Sequence, residues 1–177
     1  MKKLNPIFKV SFKFGIIGSL FTILLFLILY YFGQHPLLIP AILDFRIILF
    51  PIILVFSIRA FKEQYNNGIL HFWQGMSVGL TCIVFISLSM LLFILLFGEM
   101  IEKSFLSEYI QQSIQNINEV KENLVESIGE EVLQKSLEIL PTTTIFDLAL
   151  DYFLKSLPYG IFLTIIISLI LRRKPNF

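Results

Sequence analysis

The stretch Phe14–Phe32, "FGIIGSLFTILLFLILYYF", runs nineteen residues without a charge. As a helix rising 1.5 Å per residue it reaches about 28 Å, close to the roughly 30 Å of bilayer hydrocarbon. A helix on a water-soluble core would carry a polar face within any such window. Met76–Phe97 repeats the pattern over twenty-two uncharged residues. Two weaker runs, 39–59 and 156–171, complete a reading of four transmembrane helices. The predicted class is an all-α integral membrane protein, 1–177 forming a single membrane domain.

Composition agrees. The chain is 56% hydrophobic, with nineteen Phe, where soluble domains hold about 45–50% apolar residues even with Gly counted. A net charge of +1 suggests no nucleic-acid partner. The single cysteine, Cys82, lies in an apolar run and reads as a packing residue. There is no Cys/His cluster of metal-site spacing, so neither metal nor cofactor is expected. Lys2, Lys3, Lys9 and Lys13 precede the first run, which is too long for a signal peptide and lacks a small-residue cleavage site after Phe32. It reads as an uncleaved span, with Tyr30 and Tyr31 as interfacial aromatics.

The second span contains Pro40, Asp44, Arg46 and Pro51 and closes at Arg59. Only Ile47–Ile58 is wholly uncharged. The fourth, Ser156–Leu171, has sixteen residues before Arg172-Arg173-Lys174 and must borrow length from the segment before it. Basic residues orient such a chain, because short cytoplasmic flanks are enriched in Lys and Arg. With four spans drawn, nine of the fourteen fall on one side: four at the N-terminus, Arg59 and Lys62 after span two, and three at the C-terminus. The region Glu99–Lys155 holds eleven acids against four Lys, a net charge of −7. Both termini are expected in the cytoplasm, with this acidic region, about 99–155, outside.

Residues 65–75, "YNNGILHFWQG", then form the short cytoplasmic turn between spans two and three. Asn67-Gly68 supplies a position tolerant of positive φ, and Trp73 suits the headgroup level. Gly75 and Gly79 open span three as G-x-x-x-G, a spacing that lets a neighbouring helix approach closely. Gly160, Thr164 and Ser168 make a matching small row on span four. Both rows are expected to pack against other spans.

In the external region, Leu106, Ile110, Ile114, Ile117, Leu124 and Ile128 step at helical period and leave a face of Glu, Gln, Asn and Lys. Gly129 should break this helix, Glu130-Glu131 begin a second piece, and Pro141 stop it. Thr144 and Asp147 form a capping box for a helix running back to the membrane, on which Asp151 can pair with Lys155. Pro158 is expected to kink it. A helix lying on anionic lipid is usually basic on its polar face. This one is acidic, which favours a hairpin over the spans, or pairing with a protein partner or a second copy through residues 99–140.

Asp44 and Arg46 are the intramembrane charge candidates, since ionisable groups within a span often mark pathways. Two residues apart on a helix they point to different sides and cannot neutralise each other. The expectation is that the span starts near Phe45, with both in the interface and Arg46 snorkelling. His35 and His71 fall on opposite sides of the membrane, each solvated or interfacial, so they share no metal. No nucleophile–base pair is visible, which argues against an enzyme.

The stretch 57–80, "SIRAFKEQYNNGILHFWQGMSVGL", together with "EYIQQSIQNI" and "IFLTIIISLILRRKP", resembles the family catalogued as domain of unknown function 4199. These are small bacterial four-span membrane proteins. The resemblance implies a bacterial cytoplasmic (inner) membrane and this topology, and nothing about activity. Two function classes follow from the residues. The first is a non-enzymatic membrane component that binds a partner through its external helical segment. The second is a small transporter or channel subunit acting as a homo-oligomer.

Overall fold

Seven α-helices and their connections make up the computed structural model, which describes residues 5–39 and 44–173. Lys2, Lys3, Lys174 and the 40–43 portion of the expected second span lie outside them. Helix α1 is Pro6–Tyr31, α2 Arg46–Tyr65 and α3 Phe72–Leu96, with a π-turn Phe97–Ile101 continuing α3. Helices α4 (Phe105–Glu119), α5 (Lys121–Ile128) and α6 (Glu130–Ile139) follow, and α7 is Ile145–Leu171. Among the described residues there is no strand, only an isolated antiparallel bridge between Leu70 and Arg173.

Local chemistry sets the helix ends. Asn5 caps α1, its side-chain oxygen accepting the N–H of Ile7 at 3.1 Å, with Pro6 at the first helical position. The α2–α3 turn is built on positive φ at Asn67 (49°) and Gly68 (78°). The amide of Asn66 braces it by donating to Ile69 O at 2.9 Å and to Gln74 Oε1 at 2.8 Å. At α7 the hydroxyl of Thr144 accepts the N–H of Asp147 at 3.2 Å, and Asp147 Oδ2 accepts the N–H of Thr144 at 2.9 Å.

Helices α1, α2, α3 and α7 form an alternating bundle. Helix α1 runs parallel to α3: Ser11 meets Val78, Gly15 meets Cys82 and Phe26 meets Phe93, at one constant offset. Helix α7 is antiparallel to α3, Gly75 meeting Ser168, Gly79 meeting Thr164 and Gly98 meeting Ile145. Helix α2 returns the chain beside them, Leu54 against Gly79 and Lys62 Nζ donating to Leu171 O at 3.0 Å. The start of α1, the end of α2, the start of α3 and the end of α7 therefore share one end. Lys9, Lys13, Arg59, Lys62, Arg172 and Arg173 belong to it, and the connection from α3 to α7 belongs to the other.

Among the described residues three helices are long and apolar enough to cross a membrane, α1, α3 with its π-turn, and α7. Four were expected. Helix α2 falls short because its twenty residues include Arg46, Arg59, Lys62 and Glu63. Its uncharged part, Ile47–Ile58, reaches only about 18 Å. The last helix is eleven residues longer at its start than the expected 156, beginning at the Thr144 cap.

The region between α3 and α7 also differs from expectation. Gly129 breaks it at φ 83° and α6 begins at Glu130, but a further break falls at Val120 (φ −113°, ψ 18°). Three short helices result. The apolar stripe of α4 is half-buried from Leu106 to Ile117, α5 has no buried residue, and α6 buries only Leu133.

Candidate functional site

The α3–α7 seam is held close by small residues. A Cβ on Gly75 would lie 2.8 Å from Ser168 Oγ, and one on Gly79 would lie 2.5 Å from Thr164 Cγ2. A Cβ on Gly160 would collide with Ile83. The rows Gly75/Gly79 and Gly160/Thr164/Ser168 thus face each other along one seam, where two backbones approach too closely for any side chain larger than those present. This seam is packing; it leaves no room for a ligand.

Asp44 and Arg46 lie inside the bundle, 7% and 8% exposed. Helix α2 begins at Arg46, next to the expected start near Phe45, but the expectation that the two side chains point apart is wrong. Asp44 precedes the first turn of α2, so the helical spacing that would separate the two side chains does not apply. Its Oδ1 accepts the N–H of Arg46 at 2.9 Å, and its Oδ2 accepts Nε at 2.6 Å as well as Nη2. On the far side Nη1 donates to Ser156 Oγ at 2.9 Å, and the guanidinium lies 4.5 Å from the Tyr152 ring centre and 5.5 Å from that of Tyr159. The carboxylate is spent on Arg46, and the guanidinium is divided between Asp44 and α7. The pair latches the start of α2 onto α7. Beside it a cavity of about 30 Å³ also touches Asp151 and Lys155, room for about one water.

A larger cavity, of about 450 Å³, lies at the corner between the end of α1, the segment after it, and α4. Leu25, Ile28 and Leu29 of α1 form one wall, with Leu38 and Phe45 opposite. The polar lining is Gln34, His35, Gln112 and Asn116.

His35, expected to be solvated or interfacial, is not solvated: it is 3% exposed. Pro36 starts a 3₁₀ turn, with the N–H of Leu38 donating to His35 O at 3.0 Å, and this turns the imidazole inward. Its ring centre is 4.5 Å from that of Phe105 and 5.2 Å from that of Tyr109. Nε2 lies 3.2 Å from Phe105 O. A carbonyl only accepts, so Nε2 carries the proton and Nδ1 presents a lone pair. Nδ1 is buried without a partner. Burial holds the imidazole neutral, lowering its pKa to about 4 against the opposing pull of the Phe105 carbonyl and Glu108.

At the opposite end His71 is exposed, and its N–H donates to Gln74 Oε1 at 3.1 Å. Trp73 is 76% exposed, so residues 65–75 form a braced turn rather than a site. Among the described residues no group of three His, Cys, Asp or Glu side chains could hold a metal ion.

A family model, "Protein of unknown function (DUF4199)", matches residues 13–173, nearly the whole chain. The chain belongs to the DUF4199 family. No curated protein and no solved structure matches it. The DUF4199 match spans the bundle and the α4–α6 region together, including both buried polar sites.

Two features of this DUF4199 chain escaped the sequence reading. The first is a small-residue row on α1. Ser11 donates to Val78 O at 2.9 Å, and a Cβ on Gly15 would lie 2.9 Å from Phe85 Cβ. The i, i+4 spacing of Ser11, Gly15 and Ser19 was a readable signal. The second is the His35 cavity, which needs α4 folded back over the end of α1. No pattern local to residues 33–39 announces that contact.

Proposed function

We propose that this chain is an integral protein of the bacterial cytoplasmic membrane, non-enzymatic, that binds a different protein through α5 and α6 outside the cell membrane. Support for embedding comes from an inverted surface. Every bundle helix exposes an apolar row, such as Leu20 and Leu24 on α1, Ile48 and Phe56 on α2, Leu88 and Leu92 on α3, and Ile166 and Ile170 on α7. A water-facing bundle would carry charges there. The shared basic end supports cytoplasmic termini.

The partner reading rests on one observation: the bundle covers the apolar stripe of α4 but not the apolar residues beyond it. Val120, Ile128, Val132 and Ile139 are all about half exposed, among Glu119, Glu122, Glu126, Glu130, Glu131 and Glu138. Two copies would bring like charges together, so the occupant that fits is a different protein with an apolar stripe rimmed by Lys or Arg. A photoreactive residue at Val132 or Ile139, activated in intact cells, tests this. One recurrent heterologous adduct, absent with the probe at exposed Phe162 of α7, is the expected result. Adducts only between copies of this chain, or none, would reject it.

A transporter or channel subunit is the second reading, favoured by the charge pair buried within the bundle. It requires Asp44→Asn to abolish flux in reconstituted vesicles while the protein remains folded.

A further inference from the structure

We propose that the 450 Å³ cavity between α1 and α4 is a binding site for an uncharged lipid with a hydroxyl-bearing head, diacylglycerol being the simplest. The inference rests on the membrane reading above, but not on the partner.

Position comes first. The α1 wall of the cavity includes Ile28, itself 42% exposed on the same apolar flank as Leu24. The cavity therefore opens where acyl chains would lie, near the end of a span. Its size falls within the roughly 300–1,000 Å³ of small-molecule sites, which combine apolar walls with a few polar groups. Here it takes the head and the first part of a chain.

The polar lining then selects the head. Among the described lining residues there is no charged side chain. A phosphate would find no Lys or Arg, and an ammonium no carboxylate, although Glu108 lies near His35 outside the cavity lining. The amides of Gln34, Gln112 and Asn116 both donate and accept, as a hydroxyl does. His35 adds the discriminating group. Its Nε2 is committed to the Phe105 carbonyl and its buried Nδ1 has no partner. A buried acceptor without a donor is costly, and most find one. A head O–H that reaches the ring supplies a donor; a phosphate ester oxygen, itself an acceptor, does not.

The experiment uses the full chain in nanodiscs and two lipid probes, a diacylglycerol and a phosphatidylglycerol, each with a photoreactive acyl chain. Adducts are mapped by peptide mass spectrometry. The expected result is diacylglycerol labelling concentrated in the peptides holding Leu25–Leu29 and Gln112–Asn116, and competed by unlabelled dioleoylglycerol but not by phosphatidylglycerol. His35→Phe keeps the ring and removes the acceptor, and should weaken that labelling about five- to tenfold. Gln112→Ala, at a partly exposed position, should weaken it too and serves if the His35 variant does not fold. Equal labelling by the phosphatidylglycerol probe, or diacylglycerol labelling spread evenly over α1, α3 and α7, would overturn the site while leaving the membrane reading intact. Labelling of no bundle helix by either probe would overturn both.

Discussion

The four-helix bundle and the α5–α6 region follow opposite rules within one chain. In the bundle the small polar residues face inward, Ser11, Ser57, Ser156, Thr164 and Ser168 all buried, while large apolar side chains face out. In α5 and α6 the Glu and Lys residues face out and Leu133 is tucked in. On the membrane reading proposed above, the difference reflects two solvents acting on one sequence. Where lipid surrounds helices there is little hydrophobic drive between them, so close approach and internal hydrogen bonds hold them. Where water surrounds them, an amphipathic stripe seeks cover. The stripe of α4 finds cover on the bundle; that of α5 and α6 finds little in this chain.

Substitutions can break this contrast, and the largest effect is expected at the buried charge pair. Arg46→Leu strands the Asp44 carboxylate and should destabilise the bundle by about 3–5 kcal/mol, whereas Asp44→Leu with Arg46→Leu should recover most of the loss. Denaturant unfolding in micelles measures both, and an equal loss in the double variant would show that the latch matters beyond its charge. Gly79→Val comes next. Its side chain enters the 2.5 Å gap to Thr164 and should cost about 1–3 kcal/mol. An unchanged unfolding midpoint would mean the seam is loose.

The third effect is a pH dependence where the two regions join. Undocked, the His35 imidazole takes a proton below about 6.5; docked under α4, it does so only below about 4. Between those values the undocked form binds more protons, so docking of α4 weakens as the pH falls from 6.5 to 4 and is pH-independent above that window. The groups facing the ring are Glu108 and Tyr109 of α4 and Tyr30 of α1. Hydrogen exchange of α4 at pH 7 and pH 4.5 should show faster exchange at the lower value after correction for intrinsic rates. His35→Phe should remove the difference. The smallest effect on the bundle is expected at Gly129, whose φ of 83° and ψ of 154° suit glycine. Gly129→Ala should loosen the α5–α6 pair, by about 1–3 kcal/mol locally, and leave the unfolding of the bundle unchanged.

Much of this was legible in advance because it depends on residue order alone. Helix was expected wherever charge-free runs approached bilayer length, since backbone groups within lipid must pair within the segment. The Thr144–Asp147 cap, the Asn67-Gly68 turn and the break at Gly129 are local events written by local residues. Small rows on α3 and α7 were visible as spacing, but their facing each other required the antiparallel register of two helices separated by residues 97–144.

The sequence by itself thus determined an all-helical chain with membrane-length apolar helices, a basic end and an acidic amphipathic region. These follow from composition, period and short-range chemistry. Only the tertiary structure decided that α2, short as its uncharged run is, completes the bundle of the other three. It also decided that Asp44 folds back on Arg46 instead of pointing away, and that His35 turns inward under α4. Each of those outcomes depends on which surfaces meet after the chain has doubled back, and a side chain's burial and partners belong to that meeting rather than to its neighbours in sequence.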